Sequence, residues 1–389
     1  MKKIAVFTGT RAEYGLLYWV LKLLEAEDDV DLQLFVGGTH LCHEFGHTID
    51  QIITDKFPIT AKLDFLLPDD SPVGIAKSLA KAVTTAAEAI AAHHPDIIVL
   101  LGDRYEALGV AQAALISQVP IAHIHGGEIT EGAFDDSIRH SITKLAHLHF
   151  TSTEIYRKRV LQLGENSEYV FNVGAPGIDS INQCQLLTRE ELNQYFDDRL
   201  TSPFFVVTYH PVTLSSLGAI DAFKNMLKVL ESFEDYQMII SYPNADTYAR
   251  EIIQLLKDYQ QRFPRRVFLV KSMGQLRYLS AMNYASAIIG NSSSGIIEAP
   301  SFCIPTVNIG NRQKGRVASE SVLNCQESQQ DIKKTIEYAL SPHFKKIIKK
   351  SINPYGDGGA SKQIVQKLKT ISFDKLIHKH FHDLVQLES

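Results

Sequence analysis

The chain has 389 residues, of which 45% are hydrophobic and 21% charged, and this excludes a disordered, collagen-like or coiled-coil protein. Its 39 basic and 44 acidic side chains leave a formal net charge of −5, so no broad positive field exists to hold nucleic acid or an anionic membrane. A single core rarely grows past about 250–300 residues, so the length predicts two domains.

Taken in chain order, the first half shows short apolar runs at Ile4–Thr8, Leu32–Val36, Ile97–Leu101, Ile121–Ile124 and Tyr169–Val173. Most are continuous rather than alternating, as strands are when helices cover both faces of a parallel sheet. Helical patterns lie between them at Gly15–Glu27, Gly74–His94, Arg104–Gln118, Asp136–Ala146 and Ile155–Leu163. A polar helix follows within Ser180–Thr201, with Thr188 as its N-cap and Glu191 three residues on. The alternation then restarts. Strands are expected at Phe204–Tyr209, Gln237–Tyr242, Arg266–Val270, Ala287–Ile289 and Thr306–Ile309, with helices at Gly218–Phe233, Thr247–Phe263, Gly274–Ala285 and Ser328–Leu340. The tail, Ser361–Leu387, reads as helix broken near Ser372. The fold class is therefore α/β, with two doubly wound domains facing a cleft: residues 1–180, residues 181–360, and a helical tail over 361–389.

Cys42, Cys184, Cys303 and Cys325 are scattered and read as reduced structural thiols. The N-terminus, MKKIAVFTGTR, lacks the long apolar region of a signal peptide, and no 18-residue apolar stretch follows. The expected location is the cytoplasm, with no membrane partner and no nucleic acid.

Ligands of open α/β sheets bind beyond the carboxyl ends of the strands, and every chemical motif here sits at such an end. Gly9-Thr10-Arg11-Ala12-Glu13 follows the first strand as a glycine turn before a helix, with Arg11 suited to phosphate. It is not the GxGxxG fingerprint, so no dinucleotide is expected. Asp103 and Arg104 follow Ile97–Leu101. Asp103 is either an N-cap or a working carboxylate, and both roles are compatible. After Ile121–Ile124 comes the densest titratable cluster: His123, His125, Glu128, Glu131, Asp135, Asp136 and His140. Gly126 and Gly127 let Glu128 turn into the cleft. A helix start accounts for Asp135 or Asp136 but not for Glu128. His210 ends strand Phe204–Tyr209. Gly290-Asn291-Ser292-Ser293-Ser294-Gly295 precedes a helix that carries Glu298, and such small hydroxyl residues suit a pyrophosphate. His43-Glu44-Phe45-Gly46-His47 matches HExxH by coincidence, because Gly46 interrupts any helix, and no metal site is expected.

Together, GTRAEYG, GDRYEA, HIHGGEITEGAFDDSIRH, TYHPVT and GNSSSGIIEAP resemble the UDP-N-acetylglucosamine 2-epimerase family from about Lys3 to Ser361. DDSIRH with GNSSSG is the pattern of its hydrolysing branch. The non-hydrolysing branch carries HVEAG, and this chain has His125 where that glutamate sits, which makes Glu128 the candidate replacement. The resemblance implies a glycosyltransferase-B type fold of two Rossmann-like domains. It implies UDP held by Ser292, Ser293, Ser294 and Glu298, with Arg11, Arg104, His210, Asn244 and Arg312 at other nucleotide contacts and Met273 near the uracil edge. It further implies a homodimer and no cofactor.

The implied reaction converts UDP-N-acetylglucosamine and water to N-acetylmannosamine and UDP, through elimination to a glycal and its hydration. Asp103 and Glu128 are the expected acid–base set, with Asp135 or Asp136 assisting the glycal–water step and His210 stabilising departing UDP. Which carboxylate serves which face is open. Three alternatives stand beside this reading. One is the same chemistry on a UDP-2,4-diacetamido-2,4,6-trideoxyhexose of legionaminic acid synthesis. Another is a glycosyltransferase of the same fold. The third is a non-catalytic nucleotide-sugar sensor.

Overall fold

Thirteen strands, β1 to β13, form two all-parallel sheets in a computed structural model that describes residues 1–131, 134–211, 218–243 and 248–383. The first sheet contains β1 (Lys2–Thr8), β2 (Val30–Gly37), β3 (Ile59–Leu63), β4 (Ile97–Leu101), β5 (Ile121–Ile124), β6 (Leu148–Thr151) and β7 (Val170–Asn172), in the order β3-β2-β1-β4-β5-β6-β7. The second contains β8 (Phe204–Thr208), β9 (Gln237–Ser241), β10 (Val267–Val270), β11 (Ala287–Gly290), β12 (Thr306–Ile309) and β13 (Val322–Cys325), in the order β10-β9-β8-β11-β12-β13. Every residue of β4, β5 and β8 is buried, which is why these strands read as unbroken apolar runs.

Apolar clusters cover both faces of each sheet. The first sheet is completed by the far end of the chain. Helix Ala360–Thr370 inserts Ile364, Val365 and Leu368 beside Leu17, Val20 and Leu21 of helix Arg11–Glu25. Its two ends are tied to distant residues. The Asp179 carboxylate accepts from Gly359 N, Ala360 N and Ser361 N at its start. Lys2 Nζ donates to the carbonyls of Leu368, Lys369 and Ile371 at its end (3.0, 2.7 and 2.7 Å). These pairs satisfy the terminal groups that a helix leaves open.

The structure differs from the sequence reading at several elements. β3, β6 and β13 are additional strands. Ser180–Thr201 holds no single helix: Pro176–Gln183 and Arg189–Tyr195 are separate, and the second starts with the expected Thr188–Glu191 capping box. The last helix stops at Thr370, and no helix follows among residues 371–383. His43–Phe45 is one 3₁₀ turn, Gly46 has φ 98°, and the His43 and His47 rings stack at 4.2 Å instead of opening toward a common ligand. The four cysteines are free thiols. Among the described residues, no helix is long and apolar enough to cross a membrane.

In both sheets the strand order reverses beside the first strand of the half, at β1/β4 and at β8/β11. Such a switch point opens a crevice at the strands' carboxyl ends. The two crevices face each other. Arg11 Nη1 donates to the Lys271 carbonyl across them (2.9 Å), and Gln275 Nε2 reaches Gly15 O and Ser180 Oγ.

Candidate active site

A cavity of about 1150 Å³ lies between the two switch points and is lined from both halves. The first half contributes Arg11, Asp103, Arg104 and Asp135, and the second contributes His210, Met273, Ser292, Ser293, Ser294, Glu298 and Arg312. All were singled out in the sequence. Asn244 lies outside the described residues. Glu128 and Asp136 are not among the lining residues.

Asp103 follows β4 through Gly102, whose φ of 83° suits glycine. His123 Nε2 meets the Gly102 carbonyl at 2.7 Å and holds this turn, while burial pushes the His123 imidazole down to about 3. The next helix is capped by Arg104 without a side-chain cap bond, so Asp103 is not its N-cap. Asp103 instead accepts from Nη2 of the buried Arg139. Arg139 also donates to Glu128 O (3.1 Å) and Thr130 Oγ1 (3.2 Å), and this ties the cavity carboxylate to the DDSIRH helix. Arg104 Nε pairs with Glu106 at 2.7 Å.

Asp135 opens helix Asp135–Leu145 and faces the cavity, whereas Asp136 accepts from Thr130 N at 2.5 Å and braces the loop. The cap position belongs to Phe134, so neither aspartate is the N-cap. Glu131 is exposed and pairs with Lys314 at 2.8 Å, as a solvated loop residue does.

Glu128 is fully buried. Its Oε1 accepts from Ser152 Oγ (2.7 Å) and meets His125 Nδ1 at 3.0 Å, and its Oε2 lies 3.0 Å from Arg316 Nη2 of the second half. Burial pushes its carboxyl up, but Arg316, His125 and these hydrogen bonds outweigh that and hold it at about 2. Gly127, with φ 78°, turns the chain as expected. The turn delivers Glu128 into the seam between the halves, against Arg316, rather than to the cavity wall.

In the second half, the Asn291 side chain locks the β8/β11 crevice. Its Oδ1 accepts from His210 N (2.7 Å) and its Nδ2 donates to His210 O (2.9 Å). Arg312 Nη1 and Gln313 Nε2 donate to Asn291 O (3.1 and 2.8 Å). Ser292 Oγ and Ser294 Oγ are 2.9 Å apart, and Tyr278 OH lies 3.0 Å from Ser294 Oγ. The helix expected here is only Ser294–Ile297, so these hydroxyls, more than a helix dipole, make the cradle polar. Burial first, then the charge of Glu128, pushes the Glu298 carboxyl up to about 7 against His125 and Arg316.

Several residues of the site escaped the sequence reading. Arg139 lies in the DDSIRH motif but its pairing with Asp103 was not read, and Arg316 shows no local signal, because their partners are distant in the chain. Glu13, His40 and Tyr278 also line the cavity. Only Glu13 had a legible signal, the Thr10-x-x-Glu13 capping box, which the structure forms.

The cavity joins a carboxylate–guanidinium pair on one wall to a hydroxyl cradle with arginines on the other. Comparison with known proteins shows the family to which the chain belongs. The profile of UDP-N-acetylglucosamine 2-epimerase matches residues 22–369. A Campylobacter jejuni protein named GDP/UDP-N,N'-diacetylbacillosamine 2-epimerase (hydrolyzing) is 38% identical, over 98% of this chain and 99% of its own. The Escherichia coli polysialic acid biosynthesis protein P7 is 36% identical, over 99% and 98%. The crystal structure of a Neisseria meningitidis UDP-GlcNAc 2-epimerase bound to UDP-GlcNAc shares the fold, with a TM-score of 0.79 at 22% identity over 95% of this chain and all of that one. With the glycosyltransferase-B type fold and the hydrolysing-branch motifs in place, the chain belongs to the UDP-N-acetylglucosamine 2-epimerase family and is a hydrolysing UDP-sugar 2-epimerase.

Proposed function

We propose that the substrate is UDP-N,N'-diacetylbacillosamine, a UDP-2,4-diacetamido-2,4,6-trideoxyhexose, and that the products are UDP and the free 2-epimer. The observation that carries the chemistry is Asp103 facing Ser292–Ser294 across one cavity. The choice of sugar follows the name of the Campylobacter jejuni relative, which matches almost the whole chain. UDP-N-acetylglucosamine is the second reading, favoured by the polysialic acid biosynthesis relative at nearly the same identity.

In this reading, the C1–O bond breaks with its electron pair leaving on UDP. Arg11, Arg104, His210 and Arg312 counter the pyrophosphate charge, and the serine hydroxyls donate to it. Glu298 accepts from ribose, Met273 borders the uracil, and Asn244 joins the nucleotide contacts. The developing positive charge at C1 acidifies the C2 proton, which a carboxylate removes to give a 2-acetamidoglycal. Water then adds its hydroxyl to C1, and a proton returns to C2 on the opposite face.

Asp103, held by Arg139 on the cavity wall, is one acid–base group. Glu128 is the other and becomes available when Arg316 swings from it toward the anionic substrate. Asp135 rather than Asp136 assists the glycal–water step, because Asp135 lines the cavity. The working units are residues 1–180 and 181–360, with the segment from 361 returning to the first, and two copies form a homodimer.

The test is incubation with each UDP-sugar in turn, following UDP release and the configuration at C2. Turnover of the diacetamido sugar at least about tenfold faster in kcat/KM, roughly 1.4 kcal/mol, supports this choice of substrate. Preference for UDP-N-acetylglucosamine reverses it.

A further inference from the structure

The hydroxyl cradle of the second half does not end at its serines. Tyr278 sits in helix Gly274–Tyr284, whose cap residue is Met273, and the mechanism above gives it no role. Its OH lies 3.0 Å from Ser294 Oγ, and Ser294 Oγ lies 2.9 Å from Ser292 Oγ. On the other side, the same phenol has a hydrogen bond with the Thr208 side chain at the end of β8. Thr208 Oγ1 is in turn 2.7 Å from Ser241 Oγ at the end of β9. Ser241, Thr208, Tyr278, Ser294 and Ser292 thus place five hydroxyls in one row, and all five residues line the cavity. Ser292, Ser294 and Tyr278 are partly exposed there, whereas Thr208 and Ser241 are buried behind them.

A hydroxyl has one hydrogen and two lone pairs, so such a row can point in either of two senses. In one sense Tyr278 donates to Ser294 and Ser294 donates to Ser292. Ser292 Oγ also accepts from Ser294 N at 3.4 Å, so its lone pairs are then filled and its own hydrogen is left for the cavity. In the other sense Ser292 donates to Ser294 and turns lone pairs toward the cavity. An anion in the cavity selects the first sense and repels the second. A phenol is a stronger donor than an aliphatic alcohol, and hydroxyls in a chain polarise one another, so the residue behind the serines strengthens the donor in front. Burial pushes the Tyr278 phenol up, so it keeps the hydrogen that this role needs.

We infer that Tyr278 is a positioning residue for the departing pyrophosphate: its hydroxyl turns Ser294, and through it Ser292, to donate into the cavity. The inference deepens the epimerase reading and rests on it, because it takes the cradle to hold the pyrophosphate. The terminal phosphate gains a negative charge as the C1–O bond breaks. A donor row aimed at it therefore stabilises the departing group more than the bound UDP-sugar, which is the condition for accelerating the step. Tyr278 does this without touching the phosphate, since two serines stand between. Packing of the ring alone would leave the hydroxyl without a task, yet the hydroxyl is bonded on both sides. The cap of its helix, Met273, borders the uracil in this reading, so the base and the donor row are set by one helix.

The test compares UDP with uridine, which lacks the phosphates. Tyr278→Phe keeps the ring and removes the hydroxyl. The Kd for UDP by titration calorimetry should rise about fivefold or more, as for a weakened hydrogen bond to a charged group, while that for uridine, measured by competition, stays within about twofold. The single-turnover rate, which excludes product release, should fall about tenfold, and KM for the UDP-sugar should change less. A double-mutant cycle reads the row itself. Ser294→Ala cuts the link, so adding Tyr278→Phe to it should loosen UDP by less than about twofold more. Should Tyr278→Phe fail to fold, Thr208→Val removes the hydroxyl behind the phenol and should show the same selective loss for UDP to a smaller degree.

Unchanged affinity for UDP, or equal loosening of UDP and uridine, overturns the inference. So do losses that multiply in the double variant, because they make the two hydroxyls independent. If native protein binds UDP no better than uridine, the cradle does not hold the pyrophosphate, and that part of the epimerase reading fails together with the inference. Tight binding of UDP that neither Tyr278→Phe nor Thr208→Val disturbs removes the role of Tyr278 alone.

Discussion

At the residue scale, the site is organised by carboxylates whose partners set their charge. Asp103 has Arg139, and Glu128 has Arg316. Replacing Asp103 by Asn should lower kcat by about 10²–10⁴-fold, the range for a lost acid–base group, while the Kd for UDP stays within about threefold. Unchanged turnover in that variant would remove Asp103 from the acid–base set. Glu128 makes a stability prediction as well. Its folded carboxyl, at about 2, lies below the ordinary 4.5, so the stability it contributes is present above pH 4.5 and is lost as pH falls toward 2. Glu128→Gln strands Arg316 in the seam and should cost about 3–5 kcal/mol at neutral pH in urea unfolding, with a much smaller deficit near pH 3. An equal deficit at both pH values would mean that packing, not charge, is what the substitution removes.

At the scale of elements, the strand ends decide where chemistry goes, and two glycines show how tightly. Gly290 closes β11 with φ 131°, and a Cβ there would stand 2.0 Å from Thr208 O. Gly290→Ala must push β11 from β8, and loss of soluble, folded protein is the expected outcome on expression. Gly177 is the second residue of helix Pro176–Gln183, where a Cβ would stand 2.5 Å from Glu298 Oε1 and 2.7 Å from Leu16 Cδ2. Gly177→Ala should fold and weaken UDP by about tenfold or more, because Glu298 has to leave its place. Calorimetry with UDP checks this, and wild-type affinity would separate Glu298 from the nucleotide.

Much of this scale was legible beforehand. Buried strands such as Ile97–Leu101 announce themselves by unbroken apolar runs, and the motifs that follow them mark the crevices. β3 and β13 were missed because exposed polar residues, Lys62 and Asn324, interrupt their short apolar runs. β6 is four residues long and carries a histidine, His149, that is buried against Glu165. The Glu128–Arg316 and Asp103–Arg139 pairs were illegible for another reason. They join residues from separate elements, and no periodicity reports which side chains a fold brings face to face.

At the scale of the whole molecule, the two halves are joined by seams of different character. Around the buried seam, Tyr156 and Tyr355 hydroxyls lie 3.1 Å apart and meet Val317 N and O at 2.8 Å each, next to the Glu128–Arg316 pair. At the exposed edge, Arg250 forks onto Glu44 at 3.0 Å through two nitrogens and approaches Asp70 at 3.6 Å. Surface pairs contribute about 0–1 kcal/mol each, so Arg250→Ala should leave Tm within about 3 °C. It should nevertheless widen the apo molecule in small-angle scattering, with UDP restoring compactness. An unchanged scattering profile would assign the closure to the buried seam alone.

The claim at the centre of this account is that a proton leaves and re-enters C2 while UDP departs for good. An NMR time course in deuterated water reads it directly, with UDP-N,N'-diacetylbacillosamine first and UDP-N-acetylglucosamine beside it. The account predicts free 2-epimer carrying deuterium at C2, formed in equal amount with UDP. Release of UDP with the C2 proton and configuration retained would mean simple hydrolysis, and would contradict it.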